Sequence, residues 1–209
     1  MSELSPEALA ELTARTVAEY GSRADAFWEG TRDHDVRQNM DALLDAIEGP
    51  APYRILDLGC GPGRDVAAFK ALGHEPTGLD GTEAFCVMAR THTGCPVLQQ
   101  DFLALDLPAA HFHGVFANAS LFHVPAQELA RVLRELRAAL VPRGVLFSSN
   151  PRGKNEEGWN GERFASYHDY SSWKQFVEAA GFTRVHHYYR PPGLPRAEQP
   201  WLASVWRKA

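Results

Sequence analysis

A glycine-rich stretch and an acid that follows it constrain the fold more than any other part of the chain. Residues 54–65 read Arg-Ile-Leu-Asp-Leu-Gly-Cys-Gly-Pro-Gly-Arg-Asp, and Asp80 lies seventeen residues beyond Gly63. The apolar run that opens the stretch is typical of a buried parallel strand. The glycines allow a tight turn and a close approach of the backbone to a ligand. Apolar residues at helical spacing come next, so the pattern predicts a βαβ unit whose second strand ends at Asp80.

The details of the loop narrow the kind of ligand. A carboxylate at the end of the second strand can accept both hydroxyls of a ribose. A dinucleotide site has the pattern G-x-G-x-x-G, but Arg64 stands where its third glycine would fall. The loop is instead G-x-G-x-G, and Asp57 lies two residues before it. An acid at that place repels phosphate and suits an ammonium group.

This pattern resembles the E/DxGxGxG loop of the class I S-adenosylmethionine-dependent methyltransferases. Asp57, Gly59, Gly61 and Gly63 match the loop position by position, and Asp80 matches the family's ribose acid. The resemblance covers roughly residues 50–209 and implies S-adenosyl-L-methionine as cofactor, with S-adenosyl-L-homocysteine as product. It also implies a Rossmann-like methyltransferase fold.

Further cofactor contacts are expected beyond the carboxyl ends of the other strands, where open α/β sheets bind ligands. By the resemblance, Asp101 meets the adenine amino group and Phe102 the ring, although a solvated Asp101 is the alternative. The family often has an acid where this chain has Asn118, and the small Ala119 and Ser120 allow close approach to the sulfonium. The predicted cofactor-binding set, with Tyr20 as a cover, is Tyr20, Asp57, Gly59, Cys60, Gly61, Pro62, Gly63, Asp80, Gly81, Asp101, Phe102, Asn118, Ala119 and Ser120.

A residue that could take a proton from the methyl acceptor is expected near the same strand ends. His123 resembles a histidine that many small-molecule methyltransferases place just before the next helix, and a capping or packing role is the alternative. Residues 150–170 show no clear period and are predicted to form a long loop acting as a lid. Its Tyr167 and His168 are the alternative catalytic residues, and its Arg152, Arg163 and His168 are candidates to bind an anionic group. The predicted substrate-binding set is Trp28, Asn39, Phe122, Asn150, Arg152, Tyr189 and Arg190.

The alternation of strands and helices predicts an α/β fold with a doubly wound, mostly parallel sheet. Seven strands are expected from the resemblance. Strands at 184–189 and 201–206 lack room for a crossover helix, so an antiparallel C-terminal strand is predicted. Residues 1–49, whose first helix is capped by Ser5, are expected to form an N-terminal helical cap of the same domain. Residues 50–209 form the predicted cofactor-binding domain.

Composition limits the partners. With 209 residues, 44% hydrophobic residues and a net charge of −5, the chain suits one globular domain and offers no electrostatic case for nucleic acid or an anionic membrane. Three widely spaced cysteines and the absence of a signal-peptide pattern predict a cytoplasmic protein with reduced thiols. The spacing of the histidines predicts no metal site. A monomer or a homodimer is expected.

These observations predict methyl transfer from S-adenosylmethionine to an N, O or S atom of a small polar metabolite. Acceptors that resemble an amino acid, or that carry an aromatic or imidazole ring, fit the aromatic and basic residues near the strand ends. Two alternatives remain at this point: an NAD-linked oxidoreductase, and a non-catalytic binding protein that resembles a methyltransferase.

Overall fold

The structure is a computed structural model that describes residues 3–209. The helices of this part are α1 (Pro6–Ser22), α2 (Ala24–Thr31), α3 (Arg37–Leu44), α4 (Arg64–Ala71), α5 (Glu83–Thr93), α6 (Ala126–Ala139) and α7 (Tyr170–Ala179). Its strands are β1 (Arg54–Leu58), β2 (Glu75–Asp80), β3 (Val97–Gln99), β4 (Phe112–Asn118), β5 (Leu140–Pro151), β6 (Glu156–Asn160), β7 (Arg163–Tyr167), β8 (Phe182–Arg190) and β9 (Trp201–Lys208).

Seven strands form one sheet in the order β3-β2-β1-β4-β5-β9-β8. The pairs from β3 to β5 are parallel, and β9 is antiparallel to both of its neighbours. The predicted doubly wound α/β fold with an antiparallel C-terminal strand is therefore confirmed. Because β9 reverses direction between β5 and β8, the last residues of β8 lie at the same edge as the carboxyl ends of the parallel strands.

Both faces of the sheet are covered by apolar side chains. The stripe on α6, which includes Leu129 and Leu136, is fully buried against one face together with Trp173 of α7. On the other face Leu43 of α3 packs against Phe116 and other strand residues. Helix α1 begins as expected, with the hydroxyl of Ser5 accepting the backbone N–H of Ala8. No helix within residues 3–209 is long and apolar enough to cross a membrane.

The prediction of a long loop over residues 150–170 is wrong. Strand β5 extends to Pro151, and β6 and β7 then form an antiparallel hairpin that turns at Gly161, whose φ is +63°. Trp159 packs edge-on against Phe164 across the hairpin. The hairpin packs on α1, where the hydroxyl of Thr16 accepts the N–H of Phe164 at 3.1 Å. Strand pairing outside the main sheet, which no local periodicity signals, therefore orders this segment.

Candidate functional site

A cavity of about 730 Å³ lies beyond the carboxyl ends of the strands. The glycine loop and the ends of β2 and β4 form its floor, and α1, α2 and the segment between α2 and α3 cover it. The end of β8 and the start of β9 close it on the far side of the sheet. The predicted site residues that line it are Tyr20, Trp28, Gly59, Cys60, Gly61, Pro62, Asp80, Gly81, Asp101, Phe102, Asn118, Ala119, Ser120, Phe122, His123, Arg163 and Arg190.

Two glycines of the loop are required by close packing and by backbone conformation. Gly59 has a φ of +77°, and a Cβ there would lie 2.5 Å from the Cβ of Ser120. Gly63 has a φ of +94°, and a Cβ there would lie 2.9 Å from the backbone of Ala89. Contacts below 3 Å are not tolerated in a packed interior, so both positions exclude any larger residue. The loop can thus turn under the cavity and lead directly into α4.

Asp80 is held in place by the loop. Its Oδ2 accepts the backbone N–H of Gly61 at 3.0 Å, and its Oδ1 accepts that of Thr82 at 2.8 Å. Burial raises the pKa of the carboxyl group, while these backbone donors act in the opposite direction. The carboxylate lines the cavity with lone pairs that remain available to hydroxyl donors.

Asp57 lies beneath the loop and is 2% exposed. Its Oδ2 has no hydrogen-bond partner among the described residues. Burial raises the pKa of Asp57 well above its ordinary value, and the nearby charge of Asp65 acts in the same direction. Arg64 opposes this shift, but its guanidinium already binds Asp65 through two hydrogen bonds of 2.7 and 2.8 Å. A cationic ligand group in the cavity would supply the positive charge that Asp57 lacks.

A chain of hydrogen-bonded polar side chains leads from strand β8 to the carboxylate of Asp65. The hydroxyl of Tyr188 donates to Oδ1 of Asn39 at 2.8 Å, and Nδ2 of Asn39 donates to Oδ1 of Asn118 at 2.8 Å. Nδ2 of Asn118 points to Asp65 at 3.5 Å. Asn39 is fully buried and stands behind Asn118, so it orients that amide and does not itself line the cavity.

His123 has partners at both ring nitrogens. Its Nδ1 lies 2.6 Å from the backbone oxygen of Phe164, which can only accept, so Nδ1 carries the proton. Its Nε2 therefore accepts the hydroxyl proton of Tyr20 at 2.8 Å. Burial lowers the pKa of His123 to about 4, and the positive charge of Arg163 contributes. The imidazole is consequently neutral near pH 7.

Several predicted site residues do not line the cavity. Asp57 and Gly63 lie beneath its floor, and Tyr167 packs behind Phe122 with ring centroids 6.4 Å apart. Both ring nitrogens of His168 are buried without a hydrogen-bond partner. The guanidinium of Arg152 donates to the backbone oxygens of residues 196 and 199, so it fastens the β8–β9 connection. The other predicted residues outside the cavity lining are Asn39, Asn150 and Tyr189.

An aromatic cluster beside the glycine loop lines the cavity and has no counterpart among the predicted site residues apart from Tyr20. Phe27 and Phe85 have ring centroids 5.0 Å apart, and Tyr20 lies 5.6 and 5.9 Å from them. Phe85 faces inward from the first turn of α5, shortly after Asp80. This position in the sequence is the signal from which its place at the cavity could be predicted. The paired Arg64 and Asp65 also line the cavity and are likewise absent from the predicted set. Residues 3–209 contain no cluster of three or more side chains suited to bind a metal ion.

Comparisons with known proteins agree with this geometry. The family model of a methyltransferase domain matches residues 55–144. The trans-aconitate 2-methyltransferase of Acidovorax sp. (strain JS42) is 36% identical over 112 residues, which are 52% of this chain and 42% of that protein. The malonyl-[acyl-carrier protein] O-methyltransferase of Erwinia pyrifoliae is 34% identical over 123 residues, 58% of this chain and 46% of that protein. The chain thus spans less than half the length of these curated relatives.

A solved structure shares the fold over the whole chain. The 1,6-didemethyltoxoflavin-N1-methyltransferase of Burkholderia thailandensis, with bound 1,6-didemethyltoxoflavin and S-adenosylhomocysteine, superposes with a TM-score of 0.80. The match covers 100% of this chain and 93% of that chain, at 23% sequence identity. At this identity the likeness concerns the fold, and it includes the helices that precede β1.

Proposed function

We propose that this chain, which belongs to the class I S-adenosylmethionine-dependent methyltransferases, transfers the methyl group of S-adenosylmethionine to an N, O or S atom of a small polar metabolite. One observation carries the proposal: the glycine loop and Asp80 line one cavity, and the buried Asp57, with an unpartnered oxygen, lies beneath that loop. A cavity of this size matches the range of small-molecule sites.

The residues present fit the cofactor. Asp57 has a buried oxygen without a partner and needs a cation, which the cofactor's ammonium group provides. Gly59 leaves the floor open where any side chain would collide with Ser120. Asp80 would bind the ribose, and Phe85 and Phe102 would enclose the adenine beside Asp101. Asn118, held by Asn39, would bind the methionine portion.

The protein's contribution is mainly positioning. When bound, the sulfonium supplies an activated methyl group, so an acceptor needs alignment and a dry site more than a strong base. Tyr20 and His123, joined by their hydrogen bond, both line the cavity. We propose that they orient the acceptor, with the Tyr20 oxygen as its contact and the neutral His123 as the proton acceptor behind it.

The lining and the relatives support a small acceptor. Trp28, Phe122 and Trp201 offer flat apolar surfaces. The names of the relatives state trans-aconitate and malonyl-[acyl-carrier protein] as their acceptors, and the solved neighbour holds a heteroaromatic ligand. These molecules differ, so they support the class of acceptor and leave its identity open to assay.

An NAD-linked oxidoreductase is a weaker reading of the same site. A pyrophosphate needs free backbone donors at a helix N-terminus and no acid beside them. Here Asp65 stands in the first turn of α4 and Asp57 lies below the loop, so both carboxylates would repel it.

Calorimetric titration with S-adenosylmethionine and S-adenosylhomocysteine tests the proposal. We expect micromolar binding by the parent protein, and a loss of about 10- to 100-fold for Asp80→Asn because a charge-assisted hydrogen bond contributes roughly 1.5–3 kcal/mol. Asp33→Asn, which changes an exposed acid, is the matched control and should bind as the parent does. Absence of binding by the parent would refute the proposal and would leave NAD(H) and protein partners as the next ligands to test.

The cellular compartment and the oligomeric state of the protein are two further expectations. Cys60, Cys86 and Cys95 are free, and unpaired thiols suit a reducing compartment. We therefore propose that the enzyme acts in the cytoplasm. Size-exclusion chromatography with light scattering distinguishes the expected monomer from the expected homodimer.

A further inference from the structure

Two arginines line the cavity without a carboxylate partner. Within residues 3–209, neither Arg163 nor Arg190 has a carboxylate oxygen within 4.0 Å, whereas Arg64 in the same lining is paired with Asp65. Both side chains are only partly exposed, and a guanidinium that is partly removed from water without an opposite charge is stabilised when an anionic ligand meets it. The two arginines differ, however, in how many of their donors remain free.

Arg163 is partly engaged by the aromatic cover. Its guanidinium lies 5.2 Å from the ring centroid of Tyr20, and its Nη1 is 3.4 Å from the Tyr20 hydroxyl. Arg190 makes one hydrogen bond, from Nη2 to the backbone oxygen of Asp35 at 3.1 Å. The Nε of Arg190 is buried and has no partner. The carboxylate of Asp35 accepts the backbone N–H of Arg37 instead.

Strand order places Arg190 away from the cofactor loop. It is the last residue of β8 and pairs with Trp201, the first residue of β9. Because β9 runs antiparallel to both neighbours, this pair lies at the edge where ligands bind. Strand β8 is four positions from β1 in the sheet, which corresponds to about 19 Å at the usual spacing between strands. The Cα of Arg190 is therefore on the acceptor side of the cavity.

We infer that the methyl acceptor carries a carboxylate group. Arg190 binds this group, and the rest of the acceptor packs against Trp201. This inference rests on the proposed methyltransferase function and specifies its substrate class. A guanidinium presents paired donors that match a planar carboxylate. One free guanidinium balances the single charge of a carboxylate, whereas a phosphate dianion would require a second free cation, and Arg163 is already engaged by Tyr20.

Binding of simple carboxylates to the complex with S-adenosylhomocysteine tests the inference. Benzoate and succinate are titrated calorimetrically against the full chain saturated with S-adenosylhomocysteine, each beside its uncharged amide, benzamide or succinamide. We expect at least one acid to bind about tenfold or more tightly than its amide, because the amide lacks the charge that strengthens the hydrogen bond. In Arg190→Gln this preference should disappear, and Arg190→Lys should retain part of it.

A matched control removes a different arginine of the same strand. Arg184 on β8 does not line the cavity, so Arg184→Gln should bind the acids as the parent does. S-adenosylhomocysteine should bind Arg190→Gln within about twofold of the parent, and this also shows that the variant is folded. Failure of the parent to bind S-adenosylhomocysteine refutes the proposed function itself.

Three results would overturn the carboxylate inference while leaving the methyltransferase function intact. The first is equal affinity for acid and amide, or no binding of either acid to the cofactor complex. The second is unchanged binding of the acids by Arg190→Gln. The third is a loss of tenfold or more in S-adenosylhomocysteine affinity in that variant, because Arg190 would then bind the carboxylate of the cofactor.

Discussion

Replacing Asp57 by asparagine should stabilise the ligand-free protein and weaken cofactor binding at the same time. The carboxylate is 2% exposed, its Oδ2 has no partner, and Asp65 lies near enough to repel it. Asparagine has the same shape without the charge. The parent thus holds a group that is unfavourable for folding and that becomes favourable only when a cation binds beside it.

The expected magnitude follows from the burial of this one group. Asparagine still leaves a polar atom without a partner there, but it removes the charge that burial and Asp65 disfavour, so Asp57→Asn should raise the free energy of unfolding by roughly 1–3 kcal/mol at pH 8. The same variant should lose about 10- to 100-fold in affinity for S-adenosylmethionine, because a hydrogen bond between two charged groups contributes roughly 1.5–3 kcal/mol.

The effect on stability also has a defined pH dependence. Because the pKa of Asp57 is raised in the folded state above the ordinary value of 3.8, the folded protein binds more protons there than the unfolded chain does. Stability therefore falls as the pH rises from 3.8 through the folded-state pKa. The gain from Asp57→Asn should vanish towards pH 4 and should grow as the pH rises from there.

Urea unfolding at pH 4.5, 6 and 8, with and without saturating S-adenosylhomocysteine, measures both effects. Asp33→Asn, which removes an exposed acid, provides the control and should change neither stability nor affinity. Titration in buffers of different ionisation enthalpy should also detect release of a proton on binding. A variant at Asp57 that is less stable than the parent at pH 8, or that binds the cofactor as tightly, would refute the reasoning.

Two further predictions concern the packing of the loop and the protonation of the histidine. Gly59→Ala should cost more stability than Gly49→Ala: both positions have a positive φ, but only the first new Cβ collides with Ser120 while the second meets no atom within 4 Å. The left-handed conformation costs about 1–2 kcal/mol in each, so urea unfolding that gives equal losses would contradict the packing argument. The pKa of His123 is lowered to about 4 from 6.5. Its contribution to stability is therefore present above pH 6.5 and is lost as the pH falls towards 4. The loss should amount to roughly 3 kcal/mol. Urea unfolding of His123→Gln should show a smaller loss over that range, and an unchanged loss would count against the neutral buried imidazole.

The cofactor half of the site could be predicted from the sequence because its signals are local. The glycines follow a short apolar strand directly, and the acid ends the next strand of the same βαβ unit. Loop conformation and strand ends depend on nearby residues, so Gly59, Gly61 and Asp80 are found at the cavity. The parallel sheet with an antiparallel last strand followed from strand spacing and from the family resemblance, and it is confirmed.

Other contacts of the site depend on segments that are distant in the sequence. The hydrogen bond between Tyr20 and His123 joins residues 103 positions apart, and that of Asn39 with Asn118 joins residues 79 apart. The sequence predicts a loop where residues 156–167 form a hairpin, because the pairing of the hairpin leaves no strong period in the sequence.

Local patterns in the sequence predict the fold family, the course of the glycine loop and the acid at the end of β2. That Arg190 lines the cavity while Arg152 holds a connection depends on tertiary contacts. Arg190 is the last residue of β8 and Arg152 directly follows the last residue of β5, and nothing in their neighbours distinguishes them. Both segments reach the ligand edge, β8 because β9 is reversed, but the guanidinium of Arg152 is taken up by backbone oxygens of the β8–β9 connection. Strand order is set by burial of the two sheet faces, a property of the whole chain that no single segment encodes.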